Sequence, residues 1–503
     1  MYKSIVFSLF VFMPCLLFSQ IRPFEGSSLH YRLIGFSFPP GADSSYTIQI
    51  AEGVHYRLSS FDSNIVVSGV SKTNRLILEV PAFGKDYTWR VLYKGSADQK
   101  NMELHHFSTM FSPSIDEKLS RLRVIEHSDK FKDDYVFIDE SNAFYDMNGS
   151  PVWFLQSPVI APNQVVRDMK LSPQGTITLL YANDAFVINY NGDVLWKGHD
   201  NGAVSEEFSE HYHHEFTELR NHHYMVLGNE AALCKVSGTA GTSVHIVNYD
   251  KNKSDSTDTY KKIILGTLIE YDECGDVVWS WKSSKYFIGS DVDNFRANNC
   301  DKNFIDVHEN AFSFDEKTQC IYISFKGINR IVKIKYPEGT VLNSYGQKYE
   351  PDNQPEGKDL FCGQHSCFRA KDGTLIMFDN NVCSSTPVPH IIAFREPQAG
   401  KGDLKKIWDY KCQIEDNSHD KMEYHWSSGG DVMEMPDEQV FACMGGSYSK
   451  LFIIGKDEHL LWSALPEKWD VAGNTWVPST GYRASIVTDK KAFEALVWKQ
   501  QLE

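Results

Sequence analysis

Four residues of a kind that does chemistry stand at matching places in a repeating sequence: Arg167, His214, His308 and His365. In the second unit the turn after the first strand closes at Gly175, behind Arg167-Asp168-Met169-Lys170-Leu171-Ser172-Pro173-Gln174. The same offset in later units gives His214, His308 and His365, and in the last it gives Gly430. Any one histidine is more often structural than catalytic, but repeated units convert a shared register into convergence on one axis. Two chemistries fit such a set. Three imidazoles can ligate zinc, or one can act as a nucleophile on an anionic ester held by its neighbours. Lys326 and Arg330 follow His308 in the fourth unit, and cations crowded among histidines suit an anionic ligand better than a divalent metal. No cofactor is expected.

The elements that must position these residues are strands. Beyond residue 112 each unit offers apolar strands, a turn and a hydrophobic-Trp pair: Val152-Trp153, Leu195-Trp196, Val278-Trp279, Ile407-Trp408 and Leu461-Trp462. A further unit, Tyr336-Pro337-Glu338-Gly339-Thr340-Val341-Leu342, carries Asn343 where Trp would be. Such recurrence predicts an all-β chain whose residues 113–503 form a six-bladed β-propeller. Ala492, Leu496 and Val497 have helical spacing in a short closing segment, Asp489–Glu503, and the polar stretch Lys235–Lys262 reads as a surface excursion.

Ahead of the repeats, runs such as Tyr46–Ile50, Arg75–Val80 and Tyr87–Tyr93 alternate as strands do. They predict a small, fibronectin-like β-sandwich over 21–112, joined to the propeller through a linker at Ser112–Arg121. Residues 1–20 place Lys3 before an apolar run and a small residue, Ser19, which reads as a cleaved signal peptide and hence a periplasmic or secreted protein. The apolar run is short for a membrane span. A net charge of −16 and the lack of a Lys/Arg cluster argue against a nucleic-acid partner. Nine cysteines follow the signal segment, and Cys362 and Cys367 flank His365 closely enough to suggest a local disulfide, although connectivity does not follow from spacing. Oligomeric state is left open, a homodimer among the possibilities.

The runs His213-His214-Glu215-Phe216-Thr217-Glu218-Leu219, Asp306-Val307-His308-Glu309-Asn310 and Phe361-Cys362-Gly363-Gln364-His365, followed by Leu375-Ile376-Met377-Phe378-Asp379-Asn380-Asn381, resemble those of bacterial aryl-sulfate sulfotransferases. The resemblance implies a periplasmic six-bladed propeller that moves a sulfuryl group from an aryl sulfate donor to a phenolic acceptor without a nucleotide. It implies His365, in the Gln364-His365 motif, as the nucleophile that becomes sulfohistidine. His214, His308 and Lys326 would act with it, and Asn310, Arg167, Gln364 and Arg330 would bind substrate. Two positions depart from the family pattern. Lys326 stands where the family has arginine, keeping the charge but losing the planar two-pronged contact to sulfate oxygens, and Ser366 follows the Gln-His pair where an acidic residue is common. Two readings from other classes stand beside this one: a non-catalytic propeller that binds a sulfated or other anionic ligand, and a metal-dependent hydrolase or lyase using the three histidines.

Overall fold

The computed structural model describes residues 21–41, 45–93, 103–111, 120–158, 160, 164–235, 246–247, 260–286, 304–347, 360–385, 388–397, 402–412 and 428–499. The expected signal segment lies outside these residues. The chain divides into two compact units after Phe111.

The first unit is all strand apart from one short helix. A five-stranded sheet runs in the order Ser27–Leu29, His105–Thr109, Asp86–Tyr93, Tyr46–Glu52, Ile65–Ser71, and a two-stranded sheet pairs Leu33–Ser37 with Arg75–Glu79. Strict alternation makes this arrangement possible: Tyr46, Ile48 and Ile50 are buried while Thr47 and Gln49 are less so. The two sheets meet through Phe36 and Trp89, whose ring centroids lie 5.0 Å apart edge to face.

The described residues of the second unit form six sheets, four of four strands and two of six, antiparallel except where Phe304–Asp306 pairs in parallel with Tyr260–Tyr271. In four of them the first strand is also first in sequence, namely Arg167–Leu171, His213–Glu218, Glu309–Asp315 and Ser366–Arg369, and in the last sheet Asp431–Glu434 takes that place. The remaining sheet takes its first strand from the far end of the chain, Ala484–Val487 pairing with Tyr135–Ile138. These six first strands touch one another in succession, and the last meets the first. The other end is stitched as well, since Ser120–Glu126 adds to the last sheet beside Leu460–Asp470. Part of the expected linker is therefore strand: Arg121 pairs in register with Glu467 and forms an ion pair at 2.6 Å. The remainder of that linker, 112–119, lies outside the described residues.

Each expected Trp lies on the fourth strand of its sheet, and three of them reach the neighbouring sheet through the indole N–H, whereas the buried N–H of Trp196 has no partner. Trp153 donates to the Tyr190 carbonyl at 2.8 Å, Trp279 to Pro337 at 2.6 Å and Trp462 to Met147 at 3.0 Å. The last of these joins the sixth sheet to the first. The helix Lys490–Lys499 buries Ala492, Phe493, Leu496 and Val497 and stacks Phe493 on Tyr135. The expected excursion at Lys235–Lys262 begins later and ends earlier than the sequence suggests, because Tyr224–Lys235 and Tyr260–Tyr271 pair along their full length. Most of what separates them is outside the described residues.

A single disulfide is present among the described cysteines, and it joins Cys362 to Cys383. Cys367 is a buried free thiol, which corrects the expected Cys362–Cys367 pairing. Cys367 lies in a strand and Cys362 in the loop before it, so the two diverge, while the loop holding Cys383 returns beside Cys362.

Candidate active site

The site is built where the first strands begin. In three sheets that start is irregular: the ladder slips between Arg167 and Lys170, between His213 and Phe216, and between Glu309 and Ala311. Asp168, His214 and His308 beside these bulges have φ values of 53°, 60° and 52°. A left-handed conformation at a non-glycine residue costs about 1 to 3 kcal/mol and persists only where its surroundings enforce it. Bulges of this kind re-aim side chains, and here they turn His214 and His308 toward His365. The ring centroids of His214 and His308 are 5.1 Å apart, and those of His214 and His365 are 5.7 Å apart.

His365 is almost completely buried and its protonation pattern can be read from its partners. Nδ1 lies 3.1 Å from the Gly430 carbonyl, which can only accept, so Nδ1 carries the hydrogen. Nε2 is then the nitrogen with a free lone pair, and it faces the Tyr482 hydroxyl at 3.1 Å. Gly430 is needed for this arrangement: its φ is 107°, and a Cβ there would lie 2.2 Å from the Phe378 ring. Burial, then the charges of Arg483, Lys326 and His308, hold the His365 imidazole well below its ordinary range.

A second chain of imidazoles supports the first. His213 Nε2 donates to Asn229 Oδ1 at 3.0 Å, and its Nδ1 lies 2.8 Å from His214 Nδ1. With the His213 hydrogen on Nε2, His214 supplies the hydrogen between the two rings and keeps Nε2 bare. Burial and the neighbouring His213, His365 and His308 also depress His214, and burial with His308 brings His213 down to about 4. His308 is the most open of these histidines, with a side chain 37% exposed, and its Nδ1 lies 3.3 Å from Asp306 Oδ2.

The other expected residues fall into three groups. Asn310 is fully buried and donates to the Gln364 carbonyl at 2.9 Å, leaving its side-chain oxygen without a partner. The Gln364 amide is inserted into the neighbouring sheet, reaching Ser324, Phe325 and Arg330 at 3.1 to 3.2 Å. Arg330 donates to the Gln347 carbonyl at 2.9 Å and is buried. These two brace the loop that carries His365. Lys326 follows the strand Cys320–Phe325, its backbone N–H donating to the His308 carbonyl at 2.9 Å, and burial lowers its ammonium below the usual range against the pull of Asp306. Arg167 is the more open one at 42% exposure, lying 3.4 Å from Glu140 and 4.8 Å from the centre of the Tyr482 ring.

Two residues that matter here escaped the sequence reading. Arg483 is only 2% exposed and lies among the starts of the first strands. Its Nη1 contacts the His214 carbonyl at 2.7 Å, Glu215 at 2.7 Å and Asp168 at 3.0 Å, and its Nη2 the Asn310 carbonyl at 2.7 Å. Lys170 joins Asp168 and Glu215 from the other side. Two cations thus serve buried Asp168 and half-buried Glu215 and Asp431, the last accepting from Ser366 at 2.6 Å. Tyr482 is the other residue; burial pushes its phenol up to about 12, while Arg483 and Arg167 pull the opposite way. Both immediately precede Ala484–Val487, the strand supplied from the C-terminal end. The signal for them was the first unit's lack of a first strand of its own.

Among the described residues no group of three or more His, Cys, Asp or Glu side chains is arranged to hold a metal ion. What the geometry offers is a buried, neutral imidazole with the charges of Arg483 and Lys326 nearby.

No curated protein matches this chain. Solved structures similar to it include a protein of unknown function from Bacteroides caccae, 11% identical over 69% of this chain and 93% of that one, with a TM-score of 0.37. A streptogramin B lyase is 12% identical over 69% and 88%, with a TM-score of 0.31. AztD from Citrobacter koseri is 7% identical over 88% and 98%, with a TM-score of 0.30. Residues 236–397, the stretch that carries His308, Asn310, Lys326, Gln364 and His365, match the arylsulfotransferase (ASST) family.

Proposed function

We propose that this protein is an exported aryl-sulfate sulfotransferase, a six-bladed β-propeller behind a small β-sandwich, which exchanges a sulfuryl group between phenols through a sulfohistidine at His365. The observation that carries the reading is the state of His365: neutral, with hydrogen on Nδ1 and its Nε2 lone pair turned to the Tyr482 hydroxyl, beside His214 and the charge of Lys326. In the first half-reaction Nε2 bonds to sulfur as the sulfur–oxygen ester bond breaks, and the departing phenolate takes a proton at the open side, where His308 stands. Lys326 and Arg167 attract the anionic donor, while Asn310 offers polar contacts from the wall. As in phosphoryl transfer, most of the rate advantage comes from positioning and fixed charge. The second half-reaction reverses the first with a new phenol.

The test is release of nitrophenol from 4-nitrophenyl sulfate with and without added phenol. Acceptor-dependent release that His365→Ala and His365→Asn abolish, with circular dichroism unchanged, supports the proposal. Release by His365→Ala at the wild-type rate contradicts it, and a stable bound donor with no release would favour the non-catalytic binder.

A further inference from the structure

The free nitrogen of His365 does not face an empty space. Tyr482 Oη lies 3.1 Å from it, with the two rings edge to face at 87° and centroids 5.3 Å apart. Arg167 covers the Tyr482 ring at 4.8 Å, and the His214 ring is 6.0 Å away. In an in-line exchange at sulfur, the group opposite the attacking nitrogen is the oxygen of a phenol. A sulfuryl group on Nε2 extends along the direction that Tyr482 Oη now occupies, so the chain presents a phenol of its own where an acceptor phenol must stand. Outward movement of the Tyr482 ring toward Arg167 is what admits the sulfur between them.

Resting on the sulfohistidine reading, we propose that Tyr482 is an internal phenolic acceptor: with donor present and no external phenol, the sulfuryl group passes from His365 Nε2 to Tyr482 Oη. In this step the Nε2–S bond breaks and its electron pair returns to the imidazole, the Oη–S bond forms, and the phenolic proton leaves to solvent by way of His214 Nε2. The product is a tyrosine O-sulfate and a neutral His365. The bond formed is an aryl sulfate ester, the same kind as in the donor, so the step is close to balanced and reverses. An external phenol draws the group back through His365, and in its absence the sulfuryl group is held in a form that water attacks less readily. Burial disfavours the Tyr482 phenolate in the resting protein, whereas Arg483 and Arg167 favour it, which suits a reserve site filled slowly.

The experiment incubates the full mature protein with 4-nitrophenyl sulfate alone, quenches in alkali at intervals, and maps the added sulfuryl group by mass spectrometry of peptides. The expected course is early modification at His365, then its decline as modification at Tyr482 rises, with phenol added later clearing both and yielding phenyl sulfate. His365→Asn should remove both modifications. A lasting modification at His365 with Tyr482 untouched overturns this inference and leaves the sulfotransferase reading in place. Modification of neither residue, with no nitrophenol released, overturns both, and modification of Tyr482 in His365→Asn overturns the internal transfer.

Discussion

Arg483 donates through Nη2 to the backbone carbonyl of Asn310 at 2.7 Å, across 173 residues of sequence. The same guanidinium reaches the His214 carbonyl and two carboxylates, so one side chain just ahead of the closing strand fixes the starts of several first strands. The left-handed turn at His214 is what aims its carbonyl there.

Replacing Arg483 should therefore damage stability and activity together. Arg483→Met leaves Asp168 and Glu215 buried with Lys170 as their remaining cation, and breaking such a cluster costs about 3 to 5 kcal/mol. Arg483→Lys keeps the charge but cannot fork to carbonyls on two strands. It should lose less stability than Arg483→Met yet still lose most of its turnover, because the histidines depend on those carbonyl contacts for their place. Urea denaturation and nitrophenol release on the two variants separate the effects.

Activity should persist in acid well below pH 6.5. A lone imidazole would suggest an acid limb near its ordinary value, but burial and cations depress His365 and His214. Stability moves with pH for the same reason. For His213, lowered to about 4 in the folded chain, the unfolded chain takes up a proton between pH 6.5 and 4 while the folded chain does not. Stability therefore falls as pH falls through that window, by roughly 1 to 3 kcal/mol for this residue. The difference between wild type and His213→Gln, measured by denaturation at pH 7 and pH 4.5, should shrink toward acid by that amount. An unchanged difference would contradict the assignment.

The repeat was legible because its Trp residues follow a packing rule that five of the six sheets obey independently, Asn343 standing in the sixth. The histidines were legible because each begins its own sheet's first strand. What escaped was non-local. Arg483 and Tyr482 serve a sheet whose other strands lie more than three hundred residues earlier, and no local pattern announces that Ala484–Val487 completes it. Register was also imperfect within a unit: the left-handed site in the second sheet belongs to Asp168 and not Arg167, since a bulge shifts which side chain turns inward. Bulges depend on neighbouring strands, and the sequence of one strand does not display them.

Cutting the chain at two points should show what the closing segment contributes. Ending it after Val487 removes the helix Lys490–Lys499 and with it buried Phe493, Leu496 and Val497, but keeps the closing strand. Phe493→Ala alone should cost about 3 kcal/mol by leaving a cavity against Tyr135. Ending the chain before Tyr482 also removes Arg483 and the first strand of the first sheet. That product should fail to accumulate as folded protein, whereas the longer one should be folded, weakened and active. Soluble yield and thermal melting distinguish the two.

Lys326 bears most directly on how an anionic donor is held. Its ammonium is lowered by burial against Asp306, and its charge is among those that depress His365. Removing one charge-stabilising group from such a site typically costs about 100- to 1000-fold in turnover, and Lys326→Ala should fall in that range. Its effect on His365 runs the other way: with a cation gone, the His365 imidazole rises toward its ordinary range and the acid limb of activity moves to higher pH. Lys326→Arg restores two parallel donors for sulfate oxygens and retains the charge, so it should match or exceed wild type for 4-nitrophenyl sulfate while keeping the acid limb where it was. Rate profiles from pH 4 to 8 on the three proteins test both halves at once. A Lys326→Ala enzyme with undiminished rate would place the donor's sulfuryl oxygens elsewhere in the channel.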